Sequence, residues 1–201
     1  MNLSPSLKPE LTIFIPVYDE EANIDELYES LFKVLNEINK PFEVIIVDDG
    51  SRDQSLEKLI KISKTEPRVK VIRFKKNFGQ TAALRAAIEH SQGELFISID
   101  ADLQNDPADI PKLLQKISEG YDVVSGWRKN RKDLFLSRKL PSQIANILIS
   151  WITGVRLNDY GCSLKVYRRE FLNPEALCGE MHRFLPAFAG WQGAKICEIE
   201  V

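Results

Sequence analysis

Four short apolar runs, each followed by a stretch of helical period, limit what this chain can fold into more than any other feature. Leu11 to Pro16, Glu43 to Asp48, Val69 to Phe74 and Leu95 to Asp100 are rich in Val, Ile and Phe and read as buried strands. Between the first two, Ile24, Leu27, Tyr28, Leu31, Leu35 and Ile38 recur at helical spacing, with Asn23 and Glu26 placed as a capping box. Leu56, Leu59 and Ile60 mark a second helix. Ala82, Ala83, Ala86 and Ala87 mark a third, small enough on its sides to lie close on a sheet, with Gly93 as its stop. A fourth runs around Ile110 to Ile117 and ends at Gly120. Strand–helix alternation of this kind predicts an α/β fold, a mostly parallel Rossmann-like sheet with helices on both faces.

At 201 residues the chain suits one domain, 1–201, with a full hydrophobic core. Apolar residues make up 44% and charged residues 28%, which excludes a disordered chain. A net charge of −2 gives no general affinity for nucleic acid. Cys162, Cys178 and Cys197 are odd in number and form no CxxC pair, so free thiols in a reducing compartment are expected. MNLSPSLKPE lacks the apolar core of a signal peptide, and no run approaches the roughly 18 apolar residues of a membrane span, so the chain reads as soluble. Lys195 to Val201 alternates as a strand does, and the expectation is that a longer protein continues beyond it.

In open α/β sheets ligands sit beyond the carboxyl ends of the strands. The polar clusters fall there: Pro16-Val17-Tyr18, then Asp48-Asp49-Gly50-Ser51, then Asp100-Ala101-Asp102. No GxGxxG is present, so the usual dinucleotide cradle is missing. Asp100 and Asp102 are two apart at a strand end and can leave the backbone on one side. With Gln104 they make an oxygen-only set suited to Mg²⁺ or Mn²⁺, diphosphate oxygens and water completing the shell. The alternative is a polar turn into the helix entry Asn105-Asp106-Pro107. Asp48-Asp49-Gly50-Ser51 reads either as a strand-to-helix turn with Ser51 as N-cap, or as carboxylates that accept a nucleobase N–H or a ribose hydroxyl. His90 reads as a surface residue.

Together these segments resemble the family 2 glycosyltransferases of the GT-A fold. The likeness runs from about Thr12 to the end and rests on Ile15-Pro16-Val17-Tyr18-Asp19-Glu20, Val47-Asp48-Asp49-Gly50-Ser51, Asn77-Phe78-Gly79-Gln80 with Ala82-Ala83, and Asp100-Ala101-Asp102-Leu103-Gln104. Within that family the chain is similar to the polyprenyl-phosphate glycosyltransferases of the GtrB and dolichol-phosphate mannose synthase type. Ser125-Gly126-Trp127-Arg128 resembles the GSR segment whose Arg meets phosphate, with Trp127 where the simplest pattern has Ser. Asp159-Tyr160-Gly161-Cys162-Ser163-Leu164-Lys165 resembles the stretch with the proposed base, and Met181-His182-Arg183-Phe184 the sequence after it.

The resemblance implies an inverting, metal-dependent enzyme moving a hexose, with glucose from UDP-glucose first and mannose from GDP-mannose next, onto undecaprenyl or dolichyl phosphate. It implies Asp102, Arg128 and Asp159 as catalytic residues, and Pro16, Tyr18, Glu20, Asp48, Asp49, Asp100, Ala101 and Asp102 as nucleotide-binding ones. Arg128, Arg138, Ser142 and Asn146 would hold the acceptor phosphate, the last three also lying one turn apart on one helical face. It further implies a place on the cytoplasmic side of a membrane, and association of copies through membrane helices that follow this domain.

Residues 128–153 support that reading independently. Arg128 to Lys139 holds six Lys or Arg and one acid, Asp133, in an otherwise slightly acidic chain. Beside it Ile144, Ile147, Leu148, Trp151 and Ile152 share one helical side. Such a pairing suits an anionic membrane surface, although the apolar side by itself reads as core packing. Rival functions fit less well. A processive polysaccharide synthase wants QxxRW, which is absent from this sequence; a nucleotidyltransferase wants a Gly-rich basic first loop, where Pro16 to Glu21 is acidic. A non-catalytic binding domain would not need Asp100, Asp102, Arg128 and Asp159 together.

Overall fold

The computed structural model describes residues 8–129, 150–151 and 153–201. Its strands are β1 (Leu11–Val17), β2 (Phe42–Asp48), β3 (Val69–Arg73), β4 (Leu95–Ser98), β5 (Val123–Trp127), β6 (Lys165–Arg168) and β7 (Ile196–Glu200). They form one sheet in the order β3-β2-β1-β4-β6-β5-β7. The pairs β1–β2, β1–β4, β2–β3 and β5–β7 are parallel, and β6 runs antiparallel to both β4 and β5. The expected mostly parallel sheet is therefore present.

Helices α1 (Ile24–Ile38), α2 (Ser55–Thr65), α3 (Gln80–His90), α4 (Ile110–Ser118) and α5 (Leu185–Trp191) cover both faces. The two-residue period of the strands decides which face each side chain joins. Ile13 and Ile15 of β1 and Val44 and Ile46 of β2 pack with Leu27, Leu31 and Leu35 of α1, Leu59 of α2 and Leu113 of α4. Phe14, Ile45, Val47 and Phe96 face the other way, against Ala83, Leu84, Ala87 and Ile88 of α3 and Leu185 of α5. Ala83 and Ala87 are fully buried, and their small side chains let α3 lie close to the strands.

Several helix ends depart from the sequence-based expectation. The capping box at α1 does not form, because Asn23 Nδ2 donates to Glu20 Oε2 at 2.6 Å and the side chain leaves the helix end uncapped. Ser51 does not cap α2, which begins at Ser55; its hydroxyl instead accepts the Asp19 N–H at 3.1 Å. Helix α3 stops at His90, and Ser91 Oγ donates to Ile88 O at 2.8 Å. Gly93 lies beyond that stop, in a place where a Cβ would come within 2.5 Å of Thr12 N. Helix α4 and its left-handed exit at Gly120 are as expected. Among the described residues no helix is long and apolar enough to cross a membrane.

Candidate functional site

The sheet order reverses between β1 and β4, since the chain leaves β1 toward β2 on one side and returns at β4 on the other. That reversal opens a crevice at the carboxyl ends of the two strands. The loops around it are tied backbone to side chain. Asp19 Oδ1 accepts the Arg52 N–H at 2.6 Å, Asp53 Oδ2 accepts the Glu21 N–H at 3.0 Å, and Ser55 Oγ accepts the Glu20 N–H at 2.9 Å. Asp49 spans a longer distance in sequence, accepting the N–H groups of Phe78 at 2.7 Å and Gly79 at 2.8 Å. Its carboxylate thus anchors the entry of α3 beside the crevice. Asp48 is 1% exposed, and its Oδ2 is buried with no hydrogen-bond partner among the described residues.

A cavity of about 180 Å³ occupies the crevice, bounded by Pro16, Val17, Tyr18, Glu20, Asp49, Gln80, Asp100, Ala101 and Asp102. Every residue expected to bind nucleotide borders it except Asp48, which is buried at the end of β2. Burial first, and then the negative charge of Asp102, push the Asp100 carboxyl above its ordinary pKa. Two hard carboxylates crowded in this way fit a divalent cation, which would relieve the repulsion between them. Among the described residues no three His, Cys, Asp or Glu side chains group as a metal site, so a ligand and water would supply the remaining oxygens. Gln104, expected with that set, lies beside it: its side-chain Oε1 accepts from Arg128 Nη1 at 3.3 Å, and its backbone N–H donates to Asp102 Oδ1 at 3.2 Å.

Arg128, just past β5, is gripped by Asp159. Its Nε donates to Asp159 Oδ2 at 3.0 Å and its Nη2 to Oδ1 at 3.3 Å, with side chains only 12% and 6% exposed. Burial works against the guanidinium charge, but the bonds and charge of Asp159 outweigh it and hold the Arg128 pKa above its ordinary value. Asp159 is positioned in turn by Glu198, whose carboxylate accepts the N–H groups of Asn158 and Asp159 at 2.9 and 2.8 Å. Glu198 belongs to β7, so the last strand helps to fix the site.

A second cavity, also about 180 Å³, shares Pro16, Gln80 and Asp100 with the first and extends beneath β6 and the 181–184 turn. Lys165 borders it, 5% exposed, donating to the carbonyl oxygens of Tyr160, at 3.0 Å, and Cys162. Burial pulls the Lys165 pKa below its ordinary value. His182 borders it too, with Nδ1 2.9 Å from Thr81 Oγ1. Sequence reasoning missed Lys165 and Glu198 as site residues. The available signal was a lysine inside the apolar run Leu164 to Tyr167.

Arg138, Ser142 and Asn146, expected at the acceptor phosphate, lie outside the described residues. Of the apolar side expected near them, Trp151 alone is among the described residues, and it is 81% exposed. His90 is exposed as expected, and all three cysteines are free.

The comparisons with known proteins bear on the family and the fold. A family model described as glycosyl transferase family 2 matches residues 12–174. The dodecaprenyl-phosphate galacturonate synthase of Rhizobium johnstonii is 43% identical over 181 residues, covering 89% of this chain and 54% of the relative. The undecaprenyl-phosphate 4-deoxy-4-formamido-L-arabinose transferase of Pseudomonas paraeruginosa is 40% identical over 192 residues, covering 95% and 56%. The chain thus spans about half the length of these curated relatives. Among solved structures, a mannosyltransferase of Pyrobaculum calidifontis in complex with GDP-Man and Mn²⁺ superposes with a TM-score of 0.67 at 18% identity, over 97% of this chain and 56% of that one. Glucosyl-3-phosphoglycerate synthase of Mycobacterium tuberculosis, with Mn²⁺ and UDP-glucose, gives 0.71 at 16% identity, over 96% and 69%. The fold shared with these structures is GT-A.

Proposed function

The chain belongs to glycosyl transferase family 2, and from that premise we propose that it is the catalytic domain of an enzyme moving a sugar from a nucleotide-sugar to a polyprenyl phosphate with inversion. The observation that carries this reading is the placing of Arg128. Asp159 clamps the guanidinium, which reaches Gln104, and Gln104 is bonded to Asp102. A fixed cation therefore lies close enough to act on the charge of Asp100 and is linked through Gln104 to Asp102, beside the crevice where the diphosphate of a donor would lie.

In that role the crevice beside Pro16, Tyr18, Glu20 and Asp49 takes the nucleoside, and Asp100 and Asp102 would hold Mg²⁺ or Mn²⁺. Such an ion supplies charge neutralisation at the leaving diphosphate. Arg128 adds a fixed donor fork aimed where negative charge develops. The acceptor phosphate, with a second pKa near 6, is already mostly anionic at neutral pH and needs little help from a base. Asp159, with both oxygens committed to Arg128, serves as a positioning residue for that arginine. Arg138, Ser142 and Asn146, in the basic segment 128–153, complete the acceptor's phosphate site at a membrane surface.

The relatives are named for galacturonate and for 4-deoxy-4-formamido-L-arabinose, which favours a substituted sugar over the glucose expected from sequence. Their names also support the polyprenyl phosphate acceptor. The test is titration of UDP and GDP, with Mn²⁺ and with EDTA, followed by transfer to a short-chain polyprenyl phosphate. Absence of any divalent-dependent binding of nucleoside diphosphate would overturn the proposal.

A further inference from the structure

Strand β7 is an edge of the sheet and pairs with β5 alone among the described strands. Its two-residue period packs Cys197, Ile199 and Val201 toward the core and leaves Glu198 and Glu200 on the other face. The register sets Glu200 opposite Trp127, and Val201 N–H donates to Trp127 O at 3.2 Å, so β7 runs beside the strand end that carries Arg128. At Gly126 a Cβ would come within 2.9 Å of both Cys162 Sγ and Val201 Cγ2. Strands β5 and β7 and the 159–162 turn therefore meet there without room for a side chain. Resting on the proposed glycosyl transfer, we infer that Glu198 is a positioning residue for that reaction, acting through Asp159 on Arg128.

The turn that carries Asp159 is held by opposite charges at its two ends. Glu198 Oε2 accepts the backbone N–H of Asn158 at 2.9 Å and its Nδ2 at 2.7 Å, while Oε1 accepts the Asp159 N–H at 2.8 Å. At the far end the buried Lys165 ammonium donates to the carbonyl oxygens of Tyr160 and Cys162. The Cys162 N–H closes the turn on Asp159 O at 3.3 Å. Amides meet an anion and carbonyls meet a cation, so the turn cannot shift without breaking charge-assisted hydrogen bonds, each roughly twice as strong as a neutral one. Asp159 then passes this placement on, since both its oxygens hold Arg128. A neutral amide at position 198 would offer one acceptor oxygen and turn its NH₂ toward the other N–H. Only a carboxylate holds both peptide groups at once. Glu200, two residues on, supplies the contrast. Its partner Lys129 lies at 3.1 Å with both side chains 52% exposed, a surface pair of small consequence.

The test measures kcat and donor KM for the full chain with Mn²⁺ and a short-chain polyprenyl phosphate. The donor is whichever of UDP-galacturonate, UDP-glucose and GDP-mannose is turned over fastest. Glu198→Gln should lower kcat about ten- to a hundredfold, the range for losing a hydrogen bond to a charged group. Donor KM and the Mn²⁺-dependent affinity for the nucleoside diphosphate should stay nearly unchanged. Glu198→Asp keeps both oxygens on a shorter stem and should recover part of the loss, and Glu200→Gln should change neither kcat nor KM. The decisive comparison is a double-mutant cycle. In an Arg128→Gln background Glu198→Gln should have almost no further effect on kcat, because the group it positions is gone. Equal losses in the two backgrounds, or a fall in kcat no larger than that of Glu200→Gln, would overturn the inference while the transferase reading stands. Should Glu198→Gln fail to fold by circular dichroism, the same cycle run with Glu198→Asp decides. If the chain binds no nucleoside diphosphate and turns over none of the donors, the transferase reading itself falls.

Discussion

Both carboxylate oxygens of Asp159 are taken by Arg128, one by Nε at 3.0 Å and the other by Nη2 at 3.3 Å, and Gly161 N–H shares the second at 3.1 Å. A carboxylate so committed is well placed to hold an arginine and poorly placed to take a proton from a substrate. Asp159→Asn should therefore spare Mn²⁺-dependent nucleotide affinity and slow transfer by less than the 10²–10⁴-fold typical of a lost general base. A loss beyond about a thousandfold, together with disappearance of one limb of the pH–rate profile, would return Asp159 to the role of base. Asp159→Ala leaves Arg128 buried without its partner and should cost about 3–5 kcal/mol of stability in urea unfolding. Pairing it with Arg128→Met should recover part of that loss.

The Asp100–Asp102 pair predicts a linked dependence on metal and nucleotide. UDP or GDP with Mn²⁺ at a hundred times its dissociation constant should stabilise the protein by about 2.7 kcal/mol, read as a rise in Tm. EDTA should remove the effect, and Asp102→Asn should remove most of it while leaving the apo Tm near wild type. An equal rise in Tm with EDTA present would show that the carboxylates hold no cation.

The sheet and its ligand edge were legible because Val-, Ile- and Phe-rich runs such as Glu43 to Asp48 are buried on both faces, so the apolar signal is continuous. The polar clusters at their ends then followed from topology alone. Strand β6 was not legible: it opens on Lys165, a residue whose charge argues against burial until the carbonyls of Tyr160 and Cys162 are seen to receive it. Glu198 was hidden for a related reason, since only strand pairing across the sheet brings it to Asp159. Ser51 read as a cap because sequence shows a hydroxyl before a helix, and not that Asp19, on another loop, donates to it. Local signals carried the elements, and contacts between loops distant in sequence carried the rest.

A buried acid at the opposite end of the sheet predicts a distinct response to pH. Glu43, on β2, accepts from Thr12 Oγ1 at 2.7 Å, Gln92 N at 2.6 Å and Lys70 Nζ at 2.7 Å. Burial alone would raise its pKa, but Lys70, Gln92 and Thr12 together outweigh burial and lower it below the ordinary value. A carboxyl with a depressed folded pKa contributes stability above its unfolded pKa and loses it as pH falls through the folded one. Glu43→Gln should therefore be less stable than wild type at pH 7, by about 1–3 kcal/mol for the disturbed buried bonds. The gap should narrow as pH falls below the ordinary glutamate range. A gap that stays constant down to acid denaturation would mean that charge plays no part at this position.

The turn at Gly50 holds the Asp49 carboxylate beside the crevice. Gly50 follows Asp49 with φ of +77°, and a Cβ there would fall 2.5 Å from the Lys76 carbonyl carbon and 2.8 Å from Asn77 N. Those are backbone atoms, immediately before the Phe78 and Gly79 N–H groups that Asp49 holds. Gly50→Ala must therefore displace the 76–79 segment as well as bear the left-handed backbone. Gly120 separates the two effects, because its φ is +98° and a Cβ there meets nothing within 4 Å. Gly120→Ala should cost only the conformational penalty, about 1–2 kcal/mol, with nucleotide affinity intact. Gly50→Ala should cost more, on the order of 2–4 kcal/mol, and should also weaken nucleotide binding, because the entry of α3 and Gln80 border the crevice. Equal losses of stability in the two variants, with nucleotide affinity unchanged in both, would show that the Asp49 anchor does not shape the site.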